Sequence, residues 1–155
     1  MEELNYYKNL YYGGGKTQNK KVLSRFFGTI NPNKRDTPEY REHYSDVLVD
    51  FFENVDDFIK VRKGWKWDDD MDIEIIFDNE IGDKQHRLHT HFLIKVYHKS
   101  NIQIDTNKAR KFFQDNLTNG KKIHFNVEGS GDKNGNLTDE QAMINYIYKS
   151  KGKVF

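Results

Sequence analysis

The chain contains no cysteine. Disulfides, thiolate metal sites and cysteine nucleophiles are therefore excluded, and any metal has to be held by His, Asp, Glu or carbonyl oxygens. Long hydrophobic runs are also missing. Mean hydropathy is −0.94, and no apolar run reaches the roughly 18 residues that a membrane-crossing helix needs. No N-terminal apolar h-region is visible, so a secretory signal is not expected. An intracellular protein without membrane partners is expected. A strong net charge is absent as well: 25 Lys and Arg face 24 Asp and Glu, for a net charge of +1. The total alone does not point to nucleic acid. At 155 residues the chain has room for one domain with a sizeable core, and none for a motor module.

What is present is aromatic and unevenly charged. Phe, Trp and Tyr make up 14% of the residues, which argues against disorder despite the polar average. Residues 1–35 sum to +5, residues 36–98 to −8, residues 99–127 to +4, and residues 128–155 to zero. Folding can gather the basic segments into one patch for an anionic partner. A solvated surface of mixed sign is the plainer outcome.

Residues 1–24 are Tyr-rich, then Gly-rich, then basic, and read as a loosely attached N-terminal arm with a short helix. The GGGKT string within them is not a P-loop, because Leu10 stands where the first glycine of that motif belongs. Residues 22–31 read as a buried strand that Pro32 ends. Asp36-Thr37-Pro38-Glu39 is a helix start, with Asp36 and Glu39 at capping-box spacing and Pro in the first turn. The helix carries an apolar stripe from Tyr40 to Ile59.

Residues 71–81 and 88–97 alternate with period two and predict an antiparallel hairpin closed by a loop at 81–87. A short helix over 105–117, a strand over 122–128 and a helix over about 139–150 follow. Thr138 and Gln141 have capping-box spacing. The loop 129–137 offers Asp-x-Asn-x-Asn, but Leu137 and Met143 stand where a calcium loop requires Gly and Glu. The predicted fold class is α+β, an antiparallel β-sheet with packed helices and four strands, in one domain over 25–155 behind the arm at 1–24.

His89 and His91 are the sharpest chemical feature. Two residues apart on a strand, they share one face and can bind one divalent metal. Glu80 ends the preceding strand, and the hairpin brings it back towards His89. Two His and one carboxylate form a facial set that leaves positions open. With no Cys and one carboxylate, Mg²⁺ or Mn²⁺ is the expected working ion. Glu74 and Asp78 share the face and are alternative carboxylates, and His86 is a spare imidazole. Tyr146 and Lys149 are three apart on the last helix and therefore neighbours. A cation beside a tyrosine favours the phenolate, the form that attacks. Tyr148 is a competing nucleophile about 200° around the helix from Tyr146.

Three strings, taken in order, resemble a known family. Phe27-Gly28-Thr29-Ile30-Asn31, His89-Thr90-His91 and Tyr146-Ile147-Tyr148-Lys149 look like the three motifs of HUH-type replication initiators. These are the rolling-circle Rep endonucleases of single-stranded DNA viruses, plasmids and related transposons. The motif order is an FTxN-like strand, a strand with His-hydrophobic-His, and a helix with YxxK. Two departures stand out: Gly28 is inserted in the usual Phe-Thr pair, and Thr90 replaces the apolar residue between the histidines.

The resemblance implies an HUH nuclease fold, an RRM-like sandwich. His89, His91 and Glu80 would hold the ion, Tyr146 would be the nucleophile, and Lys149 its electrostatic partner. Thr29 and Asn31, on the FTxN-like strand, would contribute to binding DNA near the cleavage point. The implied activity is a sequence-specific, metal-dependent cut in single-stranded DNA through a 5′-phosphotyrosine. That linkage can be reversed to rejoin strands, and the cut would initiate rolling-circle replication or transposition. Arg25, Lys34, Arg35, Lys108, Arg110, Lys111, Lys121 and Lys122 are candidates for holding phosphates. Implied partners are single-stranded DNA or an origin hairpin, with a helicase module supplied separately or deleted. The protein would work in a host nucleus if viral, and in the cytoplasm if from a plasmid or bacterial transposon. The alternatives are a non-catalytic single-stranded nucleic-acid-binding α+β domain, a metal hydrolase using water, and a structural interaction protein.

Overall fold

A computed structural model describes residues 8–12, 23–61, 72–82, 84–97, 102–128 and 137–148. Its centre is a five-stranded antiparallel sheet with helices on both faces, an α+β architecture. In chain order the elements are β1 (Lys8–Tyr12), β2 (Leu23–Asn31), α1 (Pro38–Glu53), a 3-10 turn (Val55–Phe58), β3 (Ile59–Val61), β4 (Asp72–Ile81), β5 (Leu88–Tyr97), β6 (Ile102–Ile104), α2 (Thr106–Leu117), β7 (His124–Glu128) and α3 (Leu137–Tyr148). The sheet order is β1-β4-β5-β2-β7, and β3 pairs with β6 in a separate two-stranded ribbon.

Alternation along the strands divides the molecule into two layers of packing. Phe26 and Ile30 of β2, Ile73, Ile75 and Phe77 of β4, Phe92, Ile94 and Val96 of β5, and Phe125 of β7 point to one face. That face meets α1 and α2 through Tyr44, Leu48, Phe51, Phe52, Ala109 and Phe113. The contact is largely aromatic: the Phe52 and Phe77 rings lie 4.7 Å apart and Phe51 and Phe113 4.8 Å apart. The intervening residues point to the other face. There Ile76 and Leu93 form a smaller cluster with Ile147 of α3, against which Phe27, Met143 and Ile144 pack.

Gly28 lies on the α1 face of β2. A Cβ there would sit 2.1 Å from the Asn126 carbonyl oxygen and 2.6 Å from the Phe92 ring. The glycine inserted in the FTxN-like string is thus the gap that lets Phe92 lie across the strand, stacked on Phe125 at 5.8 Å.

Several local expectations change. Residues 8–12, read as part of a loose arm with a short helix, form an edge strand paired with β4 from Lys8↔Phe77 to Tyr12↔Ile73. The cap of α1 is Thr37, whose hydroxyl accepts from Tyr40 N at 3.2 Å. Asp36 instead pairs with Arg41. The helix ends at Glu53, before the apolar stripe does. Val55 and Phe58 continue that stripe from the 3-10 turn, and Ile59 leaves it to pair with Ile104. A 3-10 turn keeps side chains three apart on one side, so periodicity alone does not separate it from the helix. The capping pair Thr138 and Gln141 and the loop 129–136 fall on side chains or residues outside those described.

Candidate metal and nucleophile site

The hairpin β4–β5 sets the site. Its register pairs Glu80 with His89, Asn79 with Thr90 and Asp78 with His91. Glu80, His89, Asp78 and His91 therefore face one way, towards α3, and Asn79 and Thr90 face the core. β2 lies on the other side of β5 and places Thr29 opposite His91.

Glu80 Oε2 is 3.2 Å from His91 Nε2 and 3.4 Å from His89 Nε2. The three side chains form a cluster that could hold a metal ion, with all three ligand atoms within 4.8 Å of one another. Neighbouring ligands at about 2.2 Å from an ion, at right angles, stand about 3 Å apart. The two spacings from Glu80 Oε2, 3.2 and 3.4 Å, are close to that value. The outer ring nitrogens are held as well. His89 Nδ1 donates to the Arg87 carbonyl at 3.3 Å, which leaves Nε2 as the lone-pair nitrogen of a neutral ring. His91 Nδ1 meets Thr29 Oγ1 at 3.1 Å. Such outer partners orient ligand imidazoles and raise their basicity. Both rings thus present Nε2 to the same carboxylate oxygen.

Behind the histidines runs a buried polar chain. Thr90 Oγ1 donates to Asn79 Oδ1 at 2.6 Å. Its own proton being used, it accepts from Tyr44 Oη of α1 at 2.5 Å. Burial pushes the Tyr44 phenol well above its ordinary range, so it stays a neutral donor. Threonine between the histidines is therefore not a bare departure from an apolar position. It ties β5 to β4 and α1 at the rung between the two ligand rungs.

Asp78 is 1% exposed. Burial, with the Glu80 charge adding to it, pushes its carboxyl up to about 6, against the lowering effect of the Asn79 backbone N–H.

Helix α3 brings Tyr146 to this end of the sheet. Ile147, fully buried, packs on Ile76 and Leu93, and that contact fixes the helix rotation. Tyr146, the next residue along, then lies over the histidines. Its ring is 4.9 Å from the His91 ring, edge to face, and 5.7 Å from Phe27. Among the described residues it is the exposed large hydrophobic side chain, at 44%. An exposed tyrosine thus stands beside the candidate ion site. Lys149 lies outside the described residues, as does the side chain of Tyr148.

The cationic candidates separate into groups. Lys34 and Arg35 lie beside the start of β5: Leu88 N donates to Lys34 O at 3.1 Å, and Arg35 bridges to Arg87. Lys121 and Lys122 are exposed just ahead of β7, whose His124 pairs with Asn31 at the same end of the sheet. Asn31 Oδ1 accepts from Asn33 N in a local turn. Lys108 and Lys111 are on α2, on the far face of the sheet. Lys108 Nζ donates to Asp57 O at 2.6 Å, and Lys111 pairs with Asp115 at 2.9 Å. Arg110 donates to Phe125 O at 3.3 Å. These three are not gathered at the site. Arg25 is a correction: it is 2% exposed, opposite Lys95, whose ammonium pairs with Glu74 at 2.6 Å. Arg25 points into the α3 face from a central strand, so it is not a surface cation open to a phosphate.

Two features escaped the sequence reading: Thr29 as the partner of His91, and the Tyr44-Thr90-Asn79 chain. A threonine on an otherwise apolar strand face was the visible signal for the second. No helix of the described residues is long and apolar enough to cross a membrane. Comparison with family models, with curated proteins and with solved structures finds no match for this chain.

Proposed function

We propose that the protein is a metal-dependent endonuclease of the HUH type. It would cut single-stranded DNA with Tyr146 and hold the severed end as a 5′-phosphotyrosine. One observation carries the reading. Glu80, His89 and His91 converge from two strands, and Tyr146, more than fifty residues further along the chain, lies with its ring 4.9 Å from His91. Core packing alone does not call for an exposed tyrosine over a buried imidazole.

Mg²⁺ or Mn²⁺ bound at Glu80, His89 and His91 supplies charge stabilisation to a phosphate whose oxygens become more negative on attack. The protein's own groups do the rest. Tyr146 Oη gives up its proton to solvent and forms a bond to phosphorus, the P–O3′ bond breaks, and the 3′-oxygen takes up a proton from solvent to leave as a hydroxyl. The number of phosphodiester-type linkages is unchanged, so the reverse reaction rejoins strands. Lys149, three residues on, is assigned to stabilise the phenolate. Lys34, Arg35, Lys121 and Lys122, at the same end of the sheet, are assigned to the DNA backbone. Phe27 beside Tyr146 offers a face for a base to stack on.

The test is covalent capture. Labelled random-core single-stranded DNA and Mn²⁺ are incubated with the protein and resolved on a denaturing gel. The expected result is a shifted protein–DNA band that is lost with EDTA and with Tyr146→Phe. Cleaved DNA with no covalent band would replace the reading with a hydrolase that uses water. A band that survives Tyr146→Phe would move the nucleophile to another residue.

A further inference from the structure

The site face carries one more anion than the ligand set uses. Asp78 lies on the rung of His91 and on the face of Glu80, His89 and His91. It is 1% exposed. The Asn79 backbone N–H reaches its carboxylate, but among the described residues Oδ2 has no hydrogen-bond partner. Asp78 also stands outside the group of three whose ligand atoms lie within 4.8 Å of one another. A buried carboxylate oxygen without a partner is costly. Here it stands two residues from Glu80 on the same strand face, so two carboxylates share it. Among the described residues, Lys95 on this face is engaged by Glu74 at 2.6 Å, four rungs from Asp78.

Charge counting gives the missing partner. Two neutral imidazoles and two carboxylates carry −2, and a divalent ion brings that to zero. With Glu80 alone the centre would stay at +1. We propose that Asp78 is the charge-balancing group of this metal centre. It acts from outside the ligand set and raises affinity for a divalent cation at the expense of the metal-free fold. Asp78 is in this sense a positioning and affinity residue, not a ligand and not a catalytic residue. The inference rests on the reading of Glu80, His89 and His91 as a metal site.

That trade-off separates the proposal from a structural role, because one substitution should move two quantities in opposite directions. Asp78→Asn keeps the shape, keeps an acceptor for the Asn79 N–H and removes the buried charge. Mn²⁺ binding is measured by isothermal titration calorimetry and by the free-ion signal in electron paramagnetic resonance. Thermal unfolding is measured in EDTA. Asp46→Asn, an exposed change on α1, is the control for a general loss of negative charge.

Asp78→Asn is expected to weaken Mn²⁺ binding about tenfold or more and to raise the metal-free Tm by about 5 °C. Asp46→Asn should change neither. Unchanged Mn²⁺ affinity in Asp78→Asn, with the wild type binding, overturns the inference and leaves the metal site standing. Weaker binding together with a lower metal-free Tm also overturns it, since Asp78 would then be structural. No Mn²⁺ binding by the wild type overturns the metal site itself and the inference with it. Should Asp78→Asn fail to fold, Asp78→Ser supplies the same comparison with a smaller side chain.

Discussion

Thr29 Oγ1 and His91 Nδ1 are 3.1 Å apart, on adjacent strands and 62 residues apart in the chain. The contact joins the first motif to the second and gives the threonine of the FTxN-like string a definite task. It holds one nitrogen of the His91 ring so that the other points at Glu80. Thr29→Val keeps the strand and the side-chain shape but removes this partner. Its Mn²⁺ affinity, measured by calorimetry, is expected to fall about tenfold, with unfolding free energy changed by about 1 kcal/mol or less. Unchanged affinity would make the contact incidental to metal binding.

Tyr44→Phe removes the donor at the end of the buried chain behind the histidines. Thr90 would keep its bond to Asn79 and lose an incoming one. A cost of about 1–3 kcal/mol is expected, read by urea unfolding of the metal-free protein. The same substitution at Tyr40 should cost less. Its hydroxyl donates to the Leu117 carbonyl at 3.1 Å from a half-buried position where water can take its place.

Gly28→Ala tests the close packing around Phe92. The new methyl would collide with a backbone oxygen of β7 as well as with the ring, and a backbone oxygen in a paired strand cannot swing away. About 3 kcal/mol of destabilisation is expected from such overpacking, with urea unfolding as the measurement. A stable Gly28→Ala protein would show that β2 and β7 separate more easily than their pairing indicates.

Acid should weaken the α2 cap. Asp105 accepts from Lys108 N at 3.1 Å. That bond, with Lys60 nearby, holds its carboxyl below the ordinary aspartate range. A lowered folded-state value means that the stabilisation is present above the unfolded aspartate's pKa and is lost as pH falls through the folded one. Asp105→Ala should therefore be less stable than wild type at pH 7, with the gap closing towards pH 3. Denaturant unfolding at both pH values checks this. A gap that stays constant with pH would show that the carboxylate's charge contributes nothing.

Much of this molecule is readable without coordinates. Period-two alternation in residues 72–81 and 88–97 is enough to define the hairpin, its faces and the sharing of one face by His89, His91 and the carboxylates Glu74, Asp78 and Glu80. A one-residue slip would turn the Ile and Phe set out of the core, so the pattern excludes it. The spacing of apolar residues likewise locates α1 and α2, because a helix with one such stripe has to lay it on the sheet.

What periodicity cannot carry is contact between elements distant in the chain. Whether Tyr146 or Tyr148 faces the histidines depends on the rotation of α3. The burial of Ile147 against Ile76 and Leu93 sets that rotation, and none of these residues is near another in sequence. The pairing of β1 with β4 was hidden in a Tyr- and Gly-rich segment whose composition reads as an arm. The burial of Arg25 depends on which layer covers its side of β2. Asp78 and Glu80 are equivalent in the sequence, two carboxylates on one strand face. Tertiary structure separates them, because the hairpin register and ring orientation aim both Nε2 atoms at Glu80 and leave Asp78 buried beside it, with no partner for Oδ2 among the described residues.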